Sequence, residues 1–397
     1  MARSVRCVIM RGGTSKAVFL KEADLPPDSS ERLRTILAIF GSPDKRQIDG
    51  LGGAEPLTSK VAIIGPARAG NPRAASAHLT YTFGQVEIAQ PEIDYRSLCG
   101  NISSAVGAFA VYEGLVEPTE PVTIVHAYNT NLDRMITLEV PVRGNRPIEC
   151  GNYVVPGVPG TGAKILVDLA DTAGGATGAL LPTGNCIDRL EVPGFGEIEA
   201  SLVDIGNAHV FIRARDVGLA GTETVAEIDA KTDLRRQLES IRGAAAFKMG
   251  MISSPERSCE ESPATPILGM VSPAADYRND IAQSTVRADE IDLVSRLMYM
   301  QQMHKTYAGT STACTGVASR IAGTIVHEMT RRETLDHHEV RIGHPAGVVE
   351  AEAQVEWSGT HYVVRRAALG RTARRIMEGY VFVPDDAALP SGRHRES

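Results

Sequence analysis

Two stretches limit the possible folds more than anything else in the chain: "CGNISSAVGAFAVYEGL", starting at Cys99, and "STACTGVASRIAGTIVHEM", starting at Ser311. The first runs from Cys99 to Tyr112 without a charge, and the second is filled with small residues around Cys314. A helix with no polar face has to be enclosed by protein on all sides. The segments around each read as short strands bounded by Gly, Pro or Asn: "SVRCVIM", "KAVFL", "KVAIIG", "HLTYTFGQVEI", "VTIVHAY", "RMITLEVPV" and "AKILVDLA" in the first half, "IEASLVDIG", "HVFIRA", "HYVVRRAALG" and "EGYVFVP" in the second. The expected architecture is therefore α+β, with one apolar helix amid strands in each half. Further helices are predicted at "SSERLRTILAIFG", "DLRRQLESIRGAAAF" and "EIDLVSRLMYM".

At 397 residues the chain exceeds one ordinary core and suits two domains of roughly 150–200 residues. The Pro/Gly stretch "YVVPGVPGTGA", residues 153–163, marks the expected boundary. This divides the chain into 1–155 and 156–397, with a last strand around 371–397 expected to cross back to the first domain. The two halves repeat one plan.

Six cysteines (Cys7, Cys99, Cys150, Cys186, Cys259, Cys314) show no C-x-x-C spacing. That pattern argues against a zinc ribbon or a disulfide framework and suits a reducing compartment. A net charge of −7 without a basic block, apart from "GRTARR" and "RHRES", speaks against nucleic acid. No apolar run reaches the roughly 20 residues that span a bilayer, and the N-terminal apolar run is short for a signal peptide. A cytoplasmic protein with no membrane partner is expected. His337-His338 lacks a metal-ligand partner at useful spacing, and no metal site is expected.

The stretch "MRGGTSKAVFL" sets Arg11, Gly12, Gly13, Thr14 and Ser15 between two strand-like runs, and "GLGGAEPLTSK" partly repeats it before Lys60. Glycines let a backbone approach an anion closely, while Arg, hydroxyls and free N–H groups would hold it. G-x-x-x-x-G-K-[ST] is absent, so the loop is not a P-loop. Cys99 and Cys314 both read as standing at the start of a helix, where unpaired N–H groups lower a thiol's pKa and bind carboxylates. Small buried residues chosen for packing are the alternative.

Together "MRGGTSKAVF", "IDGLGGAEPLTSK", "CGNISSAVGAFA", "GNAH", "LPTGN", "TACTG", "RIGHPAG" and "RTARRIMEGYVFVP" resemble the PrpF family, whose fold is that of diaminopimelate epimerase. The resemblance covers nearly the whole chain. It implies two pseudo-duplicated domains, each a curved sheet around a central helix, with the active site in the cleft between them. It further implies a double-bond shift in an unsaturated di- or tricarboxylate without metal or organic cofactor. Lys60 would be the base, with Cys99 and Cys314 facing each other. The same motifs carry Gly100, Asn101, Ile102, Ser103, His209, Ser311 and Thr315 into the expected site.

Proton removal beside a conjugated carboxylate leaves a dienolate, so the site needs a base, fixed donors and an acid. A lysine base must be neutral, which requires burial or a neighbouring cation such as Arg11. On residue pattern alone, a solvated loop lysine is the favoured reading of Lys60. The leading expectation is isomerisation of 2-methylaconitate or aconitate. Other readings are 4-oxalomesaconate tautomerisation, a two-cysteine racemase or epimerase, and a non-catalytic accessory protein of an aconitase-type enzyme. The small-molecule acid is the expected partner, and a homodimer is compatible with the pattern.

Overall fold

The structure, a computed structural model, describes residues 3–67 and 71–384. Counting the strands of the repeated plan in chain order, the first half contributes β1 (Arg3–Gly12), β2 (Ser15–Lys21), β3 (Lys60–Pro66), β4 (Leu79–Val86), β5 (Val122–Asn129), β6 (Arg134–Arg143) and β7 (Ile165–Asp168). The second contributes β8 (Gly196–Ile205), β9 (Asn207–Arg213), β10 (Ile267–Pro273), β11 (Leu293–Tyr299), β12 (Glu339–His344), β13 (Gly347–Trp357) and β14 (Tyr362–Arg371).

Within each half these strands neighbour one another in sequence order. The directions also repeat, running antiparallel, parallel, antiparallel, parallel, antiparallel, antiparallel from β1 to β7 and again from β8 to β14. The duplication expected from the helices is thus written in strand pairing. β7 joins β14 (Ala368 opposite Asp168), so one sheet continues through both halves. A last strand, β15 (Ala373–Val383), returns to pair with β1 from Gly12 to Arg3. The part of the expected crossing strand beyond residue 384 lies outside the described residues, and the division at 155/156 remains a proposal.

Four longer helices occupy matching slots. α1 (Ser29–Phe40) lies between β2 and β3, and α3 (Thr232–Lys248) between β9 and β10. Each covers the outside of its sheet, α1 through Ile36, Ile39 and Phe40, α3 through Leu238 and Ile241. α2 (Gly100–Tyr112) bridges β4 to β5, and α4 (Gly309–Ser319) bridges β11 to β12, both as crossovers between parallel strands. Both lie inside the largest core cluster, and every residue of α4 is buried. Small residues let the sheet close around them. A Cβ on Gly107 would stand 2.7 Å from Val140 of β6, and one on Gly316 would stand 2.8 Å from Ala351 of β13. Each of these glycines is the eighth residue of its helix, and β6 and β13 are equivalent strands.

Two expectations fail. "EIDLVSRLMYM" is not a helix but holds β11, buried on both faces from Leu293 to Met298; a fully buried strand has no alternation to separate it from a helical run. The second apolar helix starts at Gly309, five residues before Cys314, and ends at Ser319; after a break containing Gly323 (φ +92°) a short helix follows, Ile325–Met329. Among the described residues no helix is long and apolar enough to cross a membrane.

Candidate active site

Lys60 opens β3, directly opposite Gln85 of β4 and next to Ala17 of β2. Only 3% of it is exposed. Its Nζ donates to Gln85 Oε1 at 2.5 Å and lies 5.3 Å from the centre of the Phe83 ring. The Gln85 amide is held in that orientation because its Nε2 donates to Pro56 O and Ser59 O. A neutral amide thus takes the place a carboxylate would hold in an ion pair. Burial pushes the lysine below its ordinary value, and the negative potential from Cys99 and Glu87 opposes this only in part.

Lys60 lines a cavity of about 30 Å³ with Ser15, Cys99, Asn101, Asn207, His304 and Thr310. Leu57, Phe83, Leu98, Ile267, Tyr299 and Ala308 supply its apolar surface. Leu57, Tyr299 and His304 also border a broad cleft of about 1000 Å³. The space at Lys60 is smaller than a five-carbon acid needs, and these three side chains border both it and the cleft.

The N-termini of α2 and α4 meet at this cavity. Cys99 is the N-cap of α2 and Ala308 that of α4, and neither caps its helix through a side chain. The cap carbonyls are treated alike, Cys99 O accepting from Ser103 N and Oγ, and Ala308 O from Thr312 N and Oγ1. A Cβ on Gly100 would stand 2.8 Å from Thr310 N, and one on Gly309 2.8 Å from Asn101 N. Two positive helix ends pressed together repel each other and become favourable once an anion lies between them. Asn207 ties the approaches to both helices, donating from Nδ2 to Leu98 O and Thr310 Oγ1 and accepting from Leu98 N.

His304 is 9% exposed. Its Nδ1 accepts from Thr306 N at 3.2 Å, which leaves the proton on Nε2. Burial, with Lys60 and Arg371 nearby, brings it down to about 4, so the ring is neutral. Ser15 Oγ is buried without a protein partner in the cavity wall. The site thus combines a depressed amine, a neutral imidazole donor, a free hydroxyl and two helix ends.

Of the expected site residues, Lys60, Cys99, Gly100, Asn101 and Ser15 line the cavity. Cys314 does not: it is the sixth residue of α4, fully buried in the core, with its thiol against Val203 O and its pKa pushed well up by burial. It has Ala105 of α2 as its equivalent, whereas the residue matching Cys99 is Ala308. Thr315 is also turned away, bonded to Tyr307 Oη at 2.8 Å. Arg11 is not among the residues that line this cavity, and its Nη1 donates to Gly13 O and Thr372 O, which braces the loop.

Gly12 and Gly13 let the loop press on α2, where a Cβ would meet Asn101 O at 2.4 Å or Asn101 Oδ1 at 2.3 Å. Thr14 accepts from Asn101 Nδ2. Ile102 is core, and Ser103 is spent on the cap carbonyl. His209, fully buried and near pKa 4, spans Asn207 O and Ser311 Oγ (2.8 and 2.7 Å), so His209 and Ser311 support the site from behind. Sequence reasoning missed Gln85, Asn207, His304 and Thr310. The overlooked signal for the second helix end was "YAGTS", which matches "LCGNI". Among the described residues no group of three or more His, Cys, Asp or Glu is placed to hold a metal ion.

The family model for PrpF protein matches residues 2–384. The chain is 50% identical to the 3-methylitaconate isomerase of Eubacterium barkeri over 96% of its own length and 97% of that protein's. It is 34% identical to the 2-methyl-aconitate isomerase of Shewanella oneidensis, with 96% and 97% covered. A solved methylitaconate-delta-isomerase superposes with a TM-score of 0.82 at 48% identity, each chain covered completely. At the level of fold alone, a hydroxyproline epimerase from Agrobacterium vitis matches with a TM-score of 0.55 at 10% identity, covering 97% of this chain and 94% of that one.

Proposed function

This chain belongs to the PrpF family, and from that premise we propose that it is an isomerase that moves a C=C bond in an unsaturated carboxylate by allylic proton transfer, with Lys60 as the base. One observation carries this reading: a buried amine, hydrogen-bonded to an amide and not to an acid, shares its cavity with two helix N-termini. Neutral Lys60 takes a proton from the allylic carbon; the C–H bond breaks, an N–H bond forms, and the electron pair spreads into the conjugated carboxylate. Backbone N–H groups at Gly100, Asn101 and Thr310, with Ser15 Oγ and His304 Nε2, stabilise that charge. The ammonium then returns the proton to the far carbon of the allyl system and the double bond has moved. Every group in this cycle comes from the chain itself. Cys99 touches the bound acid without exchanging the proton.

The two helix ends suit two carboxylates, among the described residues no arginine lines the cavity, and Leu57, Phe83, Leu98 and Ile267 offer an apolar wall. A methyl-bearing dicarboxylate such as methylitaconate fits this better than the tricarboxylates aconitate or 2-methylaconitate, and better than oxalomesaconate. The two-thiol epimerase reading loses its second thiol with Cys314. Proton NMR in deuterated water, run with each of these four acids, tests the proposal. Methylitaconate should exchange its allylic proton and isomerise fastest; faster turnover of a tricarboxylate would overturn the substrate choice, and exchange of none would overturn the isomerase reading.

A further inference from the structure

Arg371, the last residue of β14, is 2% exposed and has no carboxylate among its bonded partners. Its Nε donates to Asn101 Oδ1 (2.8 Å), Nη1 to Gly370 O (2.8 Å) and Nη2 to Thr312 Oγ1 (3.0 Å). A guanidinium has five N–H groups, so donors remain. Burial brings this arginine down to about 10, opposed in part by Tyr153 and Cys99. Uncompensated buried charge is costly unless something pairs with it.

Arg371 lines a cavity of about 340 Å³ that is separate from the space at Lys60, together with Thr14, Tyr153, Val155, Tyr307 and His344. That volume is within the usual range of small-molecule sites. His344 is neutral there, held well below its ordinary value by burial and by Arg371 and Arg296. Glu350 stands exposed at the rim. The roof is the Pro/Gly stretch that reads in sequence as a boundary. Tyr153 and Gly162 close it through reciprocal backbone bonds of 3.0 Å, and Tyr153 to Pro156 line the cavity. Gly370 is needed beneath it, because a Cβ there would meet Tyr153 Oη at 2.4 Å. The wall between the two cavities is a chain of polar contacts: Arg371 to Asn101, Asn101 to Thr14, Thr14 to Thr306, and Thr306 to His304.

We propose that this cavity under the 153–163 loop is a second anion site, in which the spare N–H groups of Arg371 hold a small carboxylate or inorganic oxyanion apart from the substrate at Lys60. The site leans on Asn101 and so touches the catalytic cavity from behind. Its existence does not depend on the reaction proposed above.

The full chain is crystallised, soaked in selenate, and searched for the selenium anomalous peak. Separate calorimetric titrations use inorganic phosphate and succinate. The expected result is a peak within hydrogen-bond distance of Arg371 and half-saturation below about 1 mM for at least one of the two anions; the tighter of the two names the source. Arg371→Met should abolish both signals, but it also removes three structural bonds. Val348→Phe is therefore made as well, since Val348 lines this cavity and not the one at Lys60. It should erase the peak while leaving proton exchange on the substrate at the wild-type rate. The proposal is overturned by a peak only between Gly100 and Thr310, by no peak, by a peak that survives Val348→Phe, or by half-saturation above about 10 mM for both anions.

Discussion

The N-terminus of α2 and that of α4 are built to one backbone plan but carry different chemistry. Both have a leading glycine pressed on the other helix, a hydroxyl four residues past the cap bonded to the cap carbonyl, and a glycine at the eighth position facing a strand. At the cap itself one has a thiol and the other a methyl, Cys99 against Ala308. The lesson is that the two halves share a backbone frame at their helix ends while the side chain at the cap differs. A two-thiol exchange across the cleft is not available to this chain. Lys60 at the start of β3, the base in the function proposed above, has no lysine counterpart at the start of β10, where Ile267 stands.

The strongest way to break this asymmetry is at the lysine. Lys60→Met should lower turnover by at least about 10²- to 10⁴-fold, the usual share of a general base, with substrate binding and fold retained. Lys60→Arg should be nearly as harmful, because a guanidinium stays protonated. Steady-state kinetics and loss of allylic exchange in deuterated water check both; a Lys60→Met enzyme that still exchanges would return the role to Cys99.

The two leading glycines should behave as equals. Gly100→Ala and Gly309→Ala each drive a methyl to 2.8 Å from a backbone nitrogen, which cannot swing aside. Each should cost about 1–3 kcal/mol of stability, as overpacking does, and raise KM more than it lowers kcat. Denaturant titration and kinetics would expose an unequal pair, and so a frame that only one helix provides.

At the thiols the halves should part. Cys99→Ser is expected to lower kcat/KM about tenfold, near the low end of what a positioned group contributes. Cys314→Ala should leave kcat/KM unchanged and cost about 1 kcal/mol through the lost buried sulfur. Equal kinetic losses at both would mean that the cleft rearranges to bring Cys314 forward.

The pH profile sharpens the same point. The base must be neutral, so kcat/KM should rise with pH through the pKa of Lys60 and level off above it. Because burial lowers that pKa, the rise should be centred below the ordinary lysine value of 10.5. His304, neutral down to about 4, should add no limb near pH 6.5. Stability has a limb of the same sign at lower pH. His209 and His304 are buried with pKa values near 4 against 6.5 when unfolded, so the unfolded chain takes up protons first. Stability should be unaffected by them above pH 6.5, fall between 6.5 and 4, and lose no more on their account below 4. Urea midpoints across that range measure it.

The smallest kinetic effect concerns the loop. Arg11→Ala should leave KM within about twofold, since its bonds run to Gly13 O and Thr372 O, and should cost about 1.5–3 kcal/mol for hydrogen bonds from a charged donor. Ser15→Ala, which removes a hydroxyl from the cavity wall, should raise KM more than Arg11→Ala does.

The sequence by itself determined the parts of this protein that rest on local chemistry and periodicity. A fourteen-residue uncharged run from Cys99 can only be an enclosed helix, and alternating runs between Gly and Pro can only be strands around it. Those two statements yield the duplicated α+β plan, and the quoted motifs lead to Lys60, Cys99 and the "RGGTS" loop. Tertiary structure alone decided what depends on which backbone lies against which. Nothing local tells that Arg11 Nη1 donates to Thr372 O, 361 residues on, while Arg371 stays buried without an acid. The second helix start was misplaced for a related reason. Cys314 looked like a partner for Cys99 by residue type, yet the helix begins where Gly309 must yield room to Asn101 of the other half, a contact no single segment encodes. "LVSRLMY" became a strand because both its faces are covered, which removes the alternation that would have announced it. Burial of Lys60 is likewise a property of β3 and β4 closing over it. A lysine after Thr-Ser is an ordinary surface residue until a sheet takes its water away.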